Sequence, residues 1–520
     1  MKRTWQGTYL CVVLALSLSV VQAATFYCDP VNGSMSGDGS INDPWGALAD
    51  VIAANKIESM QPVSYPYVYG APLKVRNDGA PVQPGDTLEL LSGDHGVVYA
   101  QGYYNPDWIT LRAAAGHTPV VRRFQFRGGC KWRIDGVTVS QEPYGTPGTA
   151  TAVNFENHGW HGPSYDCILE NSHVYGVDDT SNFTANDWLT KTPGAGVSSG
   201  GPRNIIRYNT IRNIQLGISV GGADSVIEYN TLCGIAHDGL RSANDRIVWQ
   251  YNHLSDFVDV DDNHDDMIQL YRGGGVPHTA VEIRGNWFDG RRITGRPLTT
   301  SPQGVGCFDG PLVDCLVENN VVLTAHYHGI SLYDADGCVI INNTVLDPSR
   351  AYPCWISLGT KGLGGNWDCT IRNNLCYQIP SANQQNNIVV DHNITLTDAL
   401  SDQIFVDWEN GDVHLLADGP AVDEGSATLA PDTDIDGVSR PQGDGYDIGA
   451  YEYESGAGNV PPVADAGDDQ TVTDTDGDGS ATVTLDGDDS YDSDGSIASY
   501  VWTEGVTQIA TGATPNVSMD

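Results

Sequence analysis

The chain has 520 residues, with 66 Asp or Glu against 26 Lys or Arg, and a formal net charge of −40. A surface this acidic attracts cations and lacks the basic footprint that duplex nucleic acid requires, so a nucleic-acid partner is excluded. At 40% hydrophobic the chain is no disordered acidic tail, and 60 Gly with 27 Pro predict many tight turns and few long helices.

Residues 1–23 read as a secretory signal. Lys2 and Arg3 supply the positive start, Leu10 to Val21 is apolar apart from two serines, and Val21-Gln22-Ala23 is a small-residue cleavage site. Cleavage after Ala23 predicts a secreted or cell-surface protein. No later stretch approaches the roughly 18 apolar residues of a membrane span, so no membrane insertion is expected. Cys11 leaves with the signal. Among the remaining cysteines, Cys307 with Cys315, and Cys354 with Cys369 and Cys376, are close enough in sequence to predict local bridges in an oxidising compartment. None has zinc-site spacing.

From residue 168 the chain repeats itself. An apolar residue, two or three further residues and then Asn recur as Ile168-Leu-Glu-Asn171, Ile206-Arg-Tyr-Asn209, Ile227-Glu-Tyr-Asn230, Val248-Trp-Gln-Tyr-Asn252 and Ile283-Arg-Gly-Asn286. The series continues at Asn320, Asn343, Asn374 and Asn393. The shortest intervals cluster near 21 residues, and the longer ones read as the same unit with an insertion. A second series runs in phase, with apolar alternation around Ile218, Leu240, Ile268, Val305, Ile330 and Ile356. Each unit therefore holds short strands of period 2 separated by turns. One unit cannot bury its apolar face alone, but stacked units can, as a solenoid. Asn recurring at one turn forms a ladder whose amides satisfy the next coil.

This pattern resembles the right-handed parallel β-helix proteins, pectate-lyase-like and secreted, over residues 24–452. Phe26-Tyr-Cys-Asp-Pro-Val-Asn-Gly33, Asp43-Pro-Trp45 and a helical Ala47–Ala54 resemble their N-terminal cap. Asp434-Ile-Asp-Gly437, Arg440-Pro441 and Asp447-Ile-Gly-Ala-Tyr451 resemble their closing segment. After a linker at 453–460, residues 461–520 resemble an incomplete polycystic-kidney-disease (PKD) type immunoglobulin-like β-sandwich, on Pro461-Pro-Val-Ala-Asp-Ala-Gly467, Asp492-Ser-Asp-Gly495 and Tyr500-Val-Trp502. The acidic run Asp474-Thr-Asp-Gly-Asp-Gly479 lacks EF-hand ligand spacing and reads as a surface turn. The expected fold is thus all-β, a solenoid followed by a partial sandwich.

Aligning the strands on their apolar residues assembles a polar patch from Asp238, Arg241, Asp266, Gln269, Gln303 and His328, residues adjacent only if the coils are in register. The densest stretch, Asp259-Val-Asp-Asp-Asn-His264-Asp-Asp266, crowds carboxylates that repel unless something neutralises them. An oxygen-rich cluster suits Ca²⁺, with Asp238, Asp262, Asp265 and Asp266 as expected ligands. Arg241, His264, His328 and Asp266 are the candidate catalytic residues, and His264 beside Asp265 is placed as an oriented acid or base. Gln269, Gln303 and Arg272, the last in a local arginine concentration, are candidate substrate contacts. Trp188 and Lys191 join them from an insertion between coils, since insertions on one side of a solenoid commonly build its binding wall. His158 and His161 flank Trp160 in a Gly-rich insertion that reads first as loop packing, with sugar stacking as the alternative.

What the resemblance implies is an extracellular protein acting as a monomer on a long polysaccharide, most directly by β-elimination from uronic-acid polymers. Ca²⁺ or Arg241 would neutralise the uronate carboxylate, while Arg241 or His264 takes the C5 proton and His328 serves as acid. Three alternatives stand beside it. The first is a glycosidase on paired carboxylates such as Asp238 and Asp266. The second is a uronate C5-epimerase, whose Asp-Pro-His-Asp/Glu motif Asp262-Asn-His-Asp265 matches only in part. The third is a non-catalytic surface protein that binds glycans.

Overall fold

The computed structural model describes residues 23–145, 147–380 and 386–454, and parts of 463–519. The secretory segment before residue 23, most of the linker, the 474–479 run and residues 492–495 lie outside the described residues. Two compact units form, one of Met1–Glu282 with Arg292–Thr300, the other of Ile283–Arg291 with Ser301–Asp520.

The first unit opens on the strand Thr25–Cys28 and the short helix Leu48–Ala53. Trp45 is buried between them and stacks on Phe26 at 5.0 Å. Gly39, at φ 82°, leaves room for that indole, because a Cβ there would lie 2.8 Å from the Trp45 ring. Coils then follow, each contributing three short strands that pair parallel with the coils before and after. One row aligns Ile168, Ile205, Val226 and Val248. The next aligns His173, Thr210, Thr231 and His253. The third aligns Val197, Ile218, Leu240 and Ile268, as the apolar alignment of the sequence expects. Period-2 alternation sends Ile206, Ile227 and Trp249 inward from the first row, and Ile211, Leu232 and Leu254 from the second, all fully buried. At about 1.5–3 kcal/mol for each large apolar side chain, this continuous core holds coils that have no independent stability. The architecture is a parallel β-helix.

Turns between rows carry the Asn ladder. Asn209 donates its backbone N–H to the Asn230 side-chain oxygen at 3.1 Å, and Asn230 does the same to Asn252 at 3.1 Å. Their amide nitrogens bond onward to the same oxygens and back to the carbonyls of Leu169, Ile206 and Ile227. Asn171 is not a member. It sits one place earlier, in the left-handed turn that Tyr208, Tyr229 and Tyr251 occupy in the later coils, all at φ near 53°. Ser172 takes the ladder place instead and donates its N–H to Asn209. The apolar-x-x-Asn pattern does not distinguish these neighbouring positions, because Asn suits both the left-handed turn and the buried ladder.

The second unit repeats the scheme. Leu316, Val339, Thr370 and Val389 align, as do Val321, Thr344, Leu375 and Ile394. Its own ladder runs Asn286, Asn320, Asn343, Asn374, Asn393. The closing segment docks on it through Asn342, which donates to the carbonyls of Asp447 and Gly449. A fully buried Arg440–Glu452 pair at 2.7 Å fastens that segment. Beyond it, Ala481–Thr484 pairs antiparallel with Asn516–Met519, and Val501–Glu504 with Thr507–Thr511.

The expected local disulfides do not form among the described residues, where Cys307, Cys354, Cys369 and Cys376 carry free thiols. Each sulfur is occupied by the backbone or by burial. Cys307 points at the Gly310 carbonyl, Cys376 at that of Gln378, and Cys369 at those of Ala335 and Trp367. Burial pushes the Cys376 thiol up to about 12, so it is no thiolate at neutral pH. Among the described residues, no helix is long and apolar enough to cross a membrane.

Candidate acid–base site

In the first unit, Asp238 leads into the strand Leu240–Ser242, and Asp266 opens the strand Asp266–Leu270 of the next coil. Register pairs Arg241 with Gln269. Asp238 and Asp266, 28 residues apart in sequence, therefore meet at one coil edge, and the Asp266 backbone N–H donates to Asp238 at 3.2 Å. Both carboxylates are buried, as is Asp265, at exposures of 2%, 0% and 8%.

Around them the polar atoms are unevenly satisfied. Asp266 Oδ2 pairs with His264 Nδ1 at 2.9 Å and accepts from Gln269 Nε2 at 3.2 Å. Its other oxygen, Oδ1, is buried without a partner, and so is Gln269 Oε1. Arg241 lies 3.8 Å from Asp238 and 5.2 Å from the ring of Tyr271, a half-exposed side chain two residues beyond Gln269 on the same face. Tyr271 was not among the expected site residues, although the same period-2 alternation that selects Gln269 also selects it. His264 is half exposed and forms the accessible part of the cluster.

Crowded burial shifts the protons. Loss of solvation, reinforced by Asp266, raises Asp238 to about 7. Loss of solvation, with Asp238 and Asp259 nearby, raises Asp265 to about 8. Asp266 is raised by burial despite the His264 bond, and that bond raises His264 in turn. The cluster holds mobile protons near neutrality, the condition for general acid–base work. Asp262 is exposed, unlike these three carboxylates. Among the described residues, no three His, Cys, Asp or Glu side chains are grouped to hold a metal ion.

Other expected residues fall elsewhere. Trp188 does not face substrate. It lies in the helix Ala185–Lys191 and packs into a small core with Ala236, Val258 and Val260, 1% exposed. The sequence places Trp188 in an insertion between coils; that insertion folds as an amphipathic helix, which buries its one large aromatic before it displays it. Lys191 pairs with Asp187 one turn back at 2.7 Å. Arg272 is held by Asp245 at 2.6 Å and the Pro277 carbonyl at 2.7 Å, so it braces a turn. Gln303 and His328 belong to the second unit. There His328 Nδ1 meets Ser331 Oγ at 2.7 Å and accepts from Trp355 Nε1 at 3.2 Å, with Phe308 edge-on at 4.9 Å. Ser331 and Trp355, which orient this imidazole, were not among the expected site residues.

No family signature and no curated protein matches the chain. Solved structures do resemble it. Pectate lyase Pel9A aligns over 82% of this chain and 96% of its own, at 16% identity and TM-score 0.35. Alginate lyase AlyF-OU02 aligns over 72% and 91%, at 14% and 0.36. XylC, solved with xylose, aligns over 70% and 76%, at 11% and 0.35. Those activities belong to those proteins.

Proposed function

We propose that the protein is an extracellular polysaccharide lyase that cleaves a linear, uronic-acid-containing glycan by β-elimination. The observation that carries this reading is the His264–Asp266 pair set beside Arg241 and two buried carboxylates whose protons are mobile near pH 7. β-Elimination needs the sugar carboxylate neutralised, the C5 proton removed and the leaving oxygen protonated. Arg241 supplies a fixed positive charge for the first. His264, exposed and oriented by Asp266, contacts the substrate and exchanges protons with Asp238. His264 in its neutral form takes the C5 proton, the C5–H electron pair becomes the C4=C5 double bond as the C4–O bond breaks, and the departing C4 oxygen takes a proton held by the carboxylic acids of the cluster. Secretion by the N-terminal signal, and a PKD-type module built on the C-terminal strand pairs, complete the reading.

The test is incubation of the purified protein with a panel of polyuronates, sulfated glycans and neutral glucans, with and without chelator. A product with the ultraviolet absorbance of a 4,5-unsaturated uronate supports the lyase. New reducing ends without that absorbance point to hydrolysis by Asp238 and Asp266. Binding with no turnover of any glycan overturns the enzyme reading. Ca²⁺ at Asp238, Asp262, Asp265 and Asp266 is decided by the chelator arm. No step above depends on it.

A further inference from the structure

The strands Val97–Ala113 and Arg123–Asp135 pair in parallel, and a hairpin leaves the coil beside them. Its arms, Val153–His158 and Gly162–Tyr165, are antiparallel with His158 opposite Gly162, which puts Trp160 at the tip. Trp160 is 53% exposed. It is nonetheless fixed. Its plane lies within 4° of the Tyr65 ring at 6.1 Å, and His161 meets Tyr65 edge-on at 5.1 Å. The Tyr67 N–H donates to the Trp160 carbonyl at 2.9 Å, and the N–H groups of Trp160 and His161 both donate to His158 Nδ1 at 3.1 Å. Gly102, at φ 65°, floors the cluster, where a Cβ would stand 3.0 Å from the Tyr65 hydroxyl and 3.8 Å from His161 Nδ1. That nitrogen is buried without a hydrogen-bond partner.

Charge next to this platform is opposite in sign to the chain as a whole. Gln101, Arg127 and Glu156 are register partners on successive strands. Arg127 bonds Glu156 at 3.0 Å and lies 5.0 Å from the half-exposed Tyr99 ring. Arg76 donates to the Gln101 carbonyl at 3.1 Å, and Arg123 donates to the Thr151 carbonyl at 3.1 Å and to Gln125. Three guanidiniums thus face one carboxylate here. Burial, then the charges of His158, Arg127 and Arg76, holds His161 below its usual range.

We propose that Trp160, Tyr65, Tyr99 and Arg127 form a binding subsite for a uronate unit of an extended polysaccharide, separate from the acid–base cluster. The pyranose lays a C–H face on the indole and sets its carboxylate toward Arg127. A rigid aromatic pays little conformational entropy on binding, which suits such a platform. In the parallel row, Val153–His158 is followed by Ala195–Ser199, Leu216–Val220 and Leu240–Ser242. Arg127 lies one strand before that row, opposite Glu156, so four strand steps, roughly 19 Å along the stack, separate it from Arg241. A chain of several sugars spans that interval, and a disaccharide does not. The subsite rests on the polysaccharide reading above and extends it to a second contact.

The test is retention of the full chain on immobilised alginate, polygalacturonate and a neutral glucan, with thermal unfolding as the fold control. Trp160→Ala is expected to weaken polyuronate retention roughly five- to tenfold with unchanged unfolding, as for an exposed hot-spot aromatic. Trp160→Phe restores most of it. Arg127→Gln lowers retention on the two polyuronates and not on the neutral glucan. Asp266→Asn, at a carboxylate buried away from the glycan, lowers turnover and leaves retention intact. Unchanged retention in Trp160→Ala, or no retention of the wild-type chain on any matrix, overturns the subsite. Equal loss on neutral and acidic matrices in Arg127→Gln overturns its anionic preference. Retention without turnover overturns the lyase reading alone.

Discussion

The Asn ladder and the acid cluster occupy the same stacked coils of the first unit, and both bury polar side chains repeated from coil to coil. They differ in satisfaction. Asn209, Asn230 and Asn252 each donate and accept in sequence, so amide dipoles are paired at every step. Asp238, Asp265 and Asp266 repeat acceptors without enough donors, leaving Asp266 Oδ1 and Gln269 Oε1 unpartnered and protons displaced toward neutral pH. Buried polar groups that are satisfied hold a fold together, while those left wanting are retained at a cost and mark sites of chemistry.

That contrast is sharpest under substitution. His264→Ala or Asp266→Asn should lower turnover about 10²- to 10⁴-fold, the usual scale for losing a general acid or base. Asp266→Asn should not lower the unfolding midpoint, since it removes a buried charge. A Asp266→Asn protein that unfolds early yet turns over normally would make the cluster structural. Asn230→Ala should do the reverse. It strands the Ile206 carbonyl and the Asn209 donors and costs roughly 2–4 kcal/mol in denaturant unfolding, with turnover per folded molecule preserved.

The pH dependence of stability is a smaller effect. Folded Asp238 and Asp265 hold protons up to about 7 and about 8, whereas the unfolded chain releases them near the ordinary 3.8. Folded pKa values raised this way give a contribution that is complete at low pH and lost as pH climbs through 7 and 8. The unfolding midpoint should therefore fall between pH 5 and 8, and Asp265→Asn should flatten the slope. A slope unchanged by Asp265→Asn would mean that this carboxylate ionises freely. Smallest of all is Lys191→Ala. Its helical pair with Asp187 is exposed and screened by solvent, so neither the unfolding midpoint nor turnover should change measurably. A rise in KM would return Lys191 to the substrate path.

Much of the solenoid was legible because it is written many times over. A strand of three residues carries little information by itself, but the Ile218, Leu240 and Ile268 alignment repeats, and one register serves every coil. The pairing of Asp238 with Asp266 followed from that register despite the long loop at 259–265, because a loop can lengthen outward without disturbing the strands it joins. Features without a repeat were misread or missed. Trp188 was taken for a sugar contact, and its burial depends on Ala236 and Val258 from other coils. The cysteine spacings predict bridges, whereas Cys307 and Cys369 direct their sulfurs at carbonyls and Cys369 also meets the Cys338 thiol.

The sequence by itself determined the stacking, since hydrophobic alternation and recurring Asn leave a chain of such units one way to bury its apolar faces. It also brought Asp238 and Asp266 to one coil edge. Only the tertiary structure decided which of those groups lose their water, which find donors, and which aromatic is core and which platform. Solvation is a property of everything packed around a side chain, and a linear pattern does not contain it.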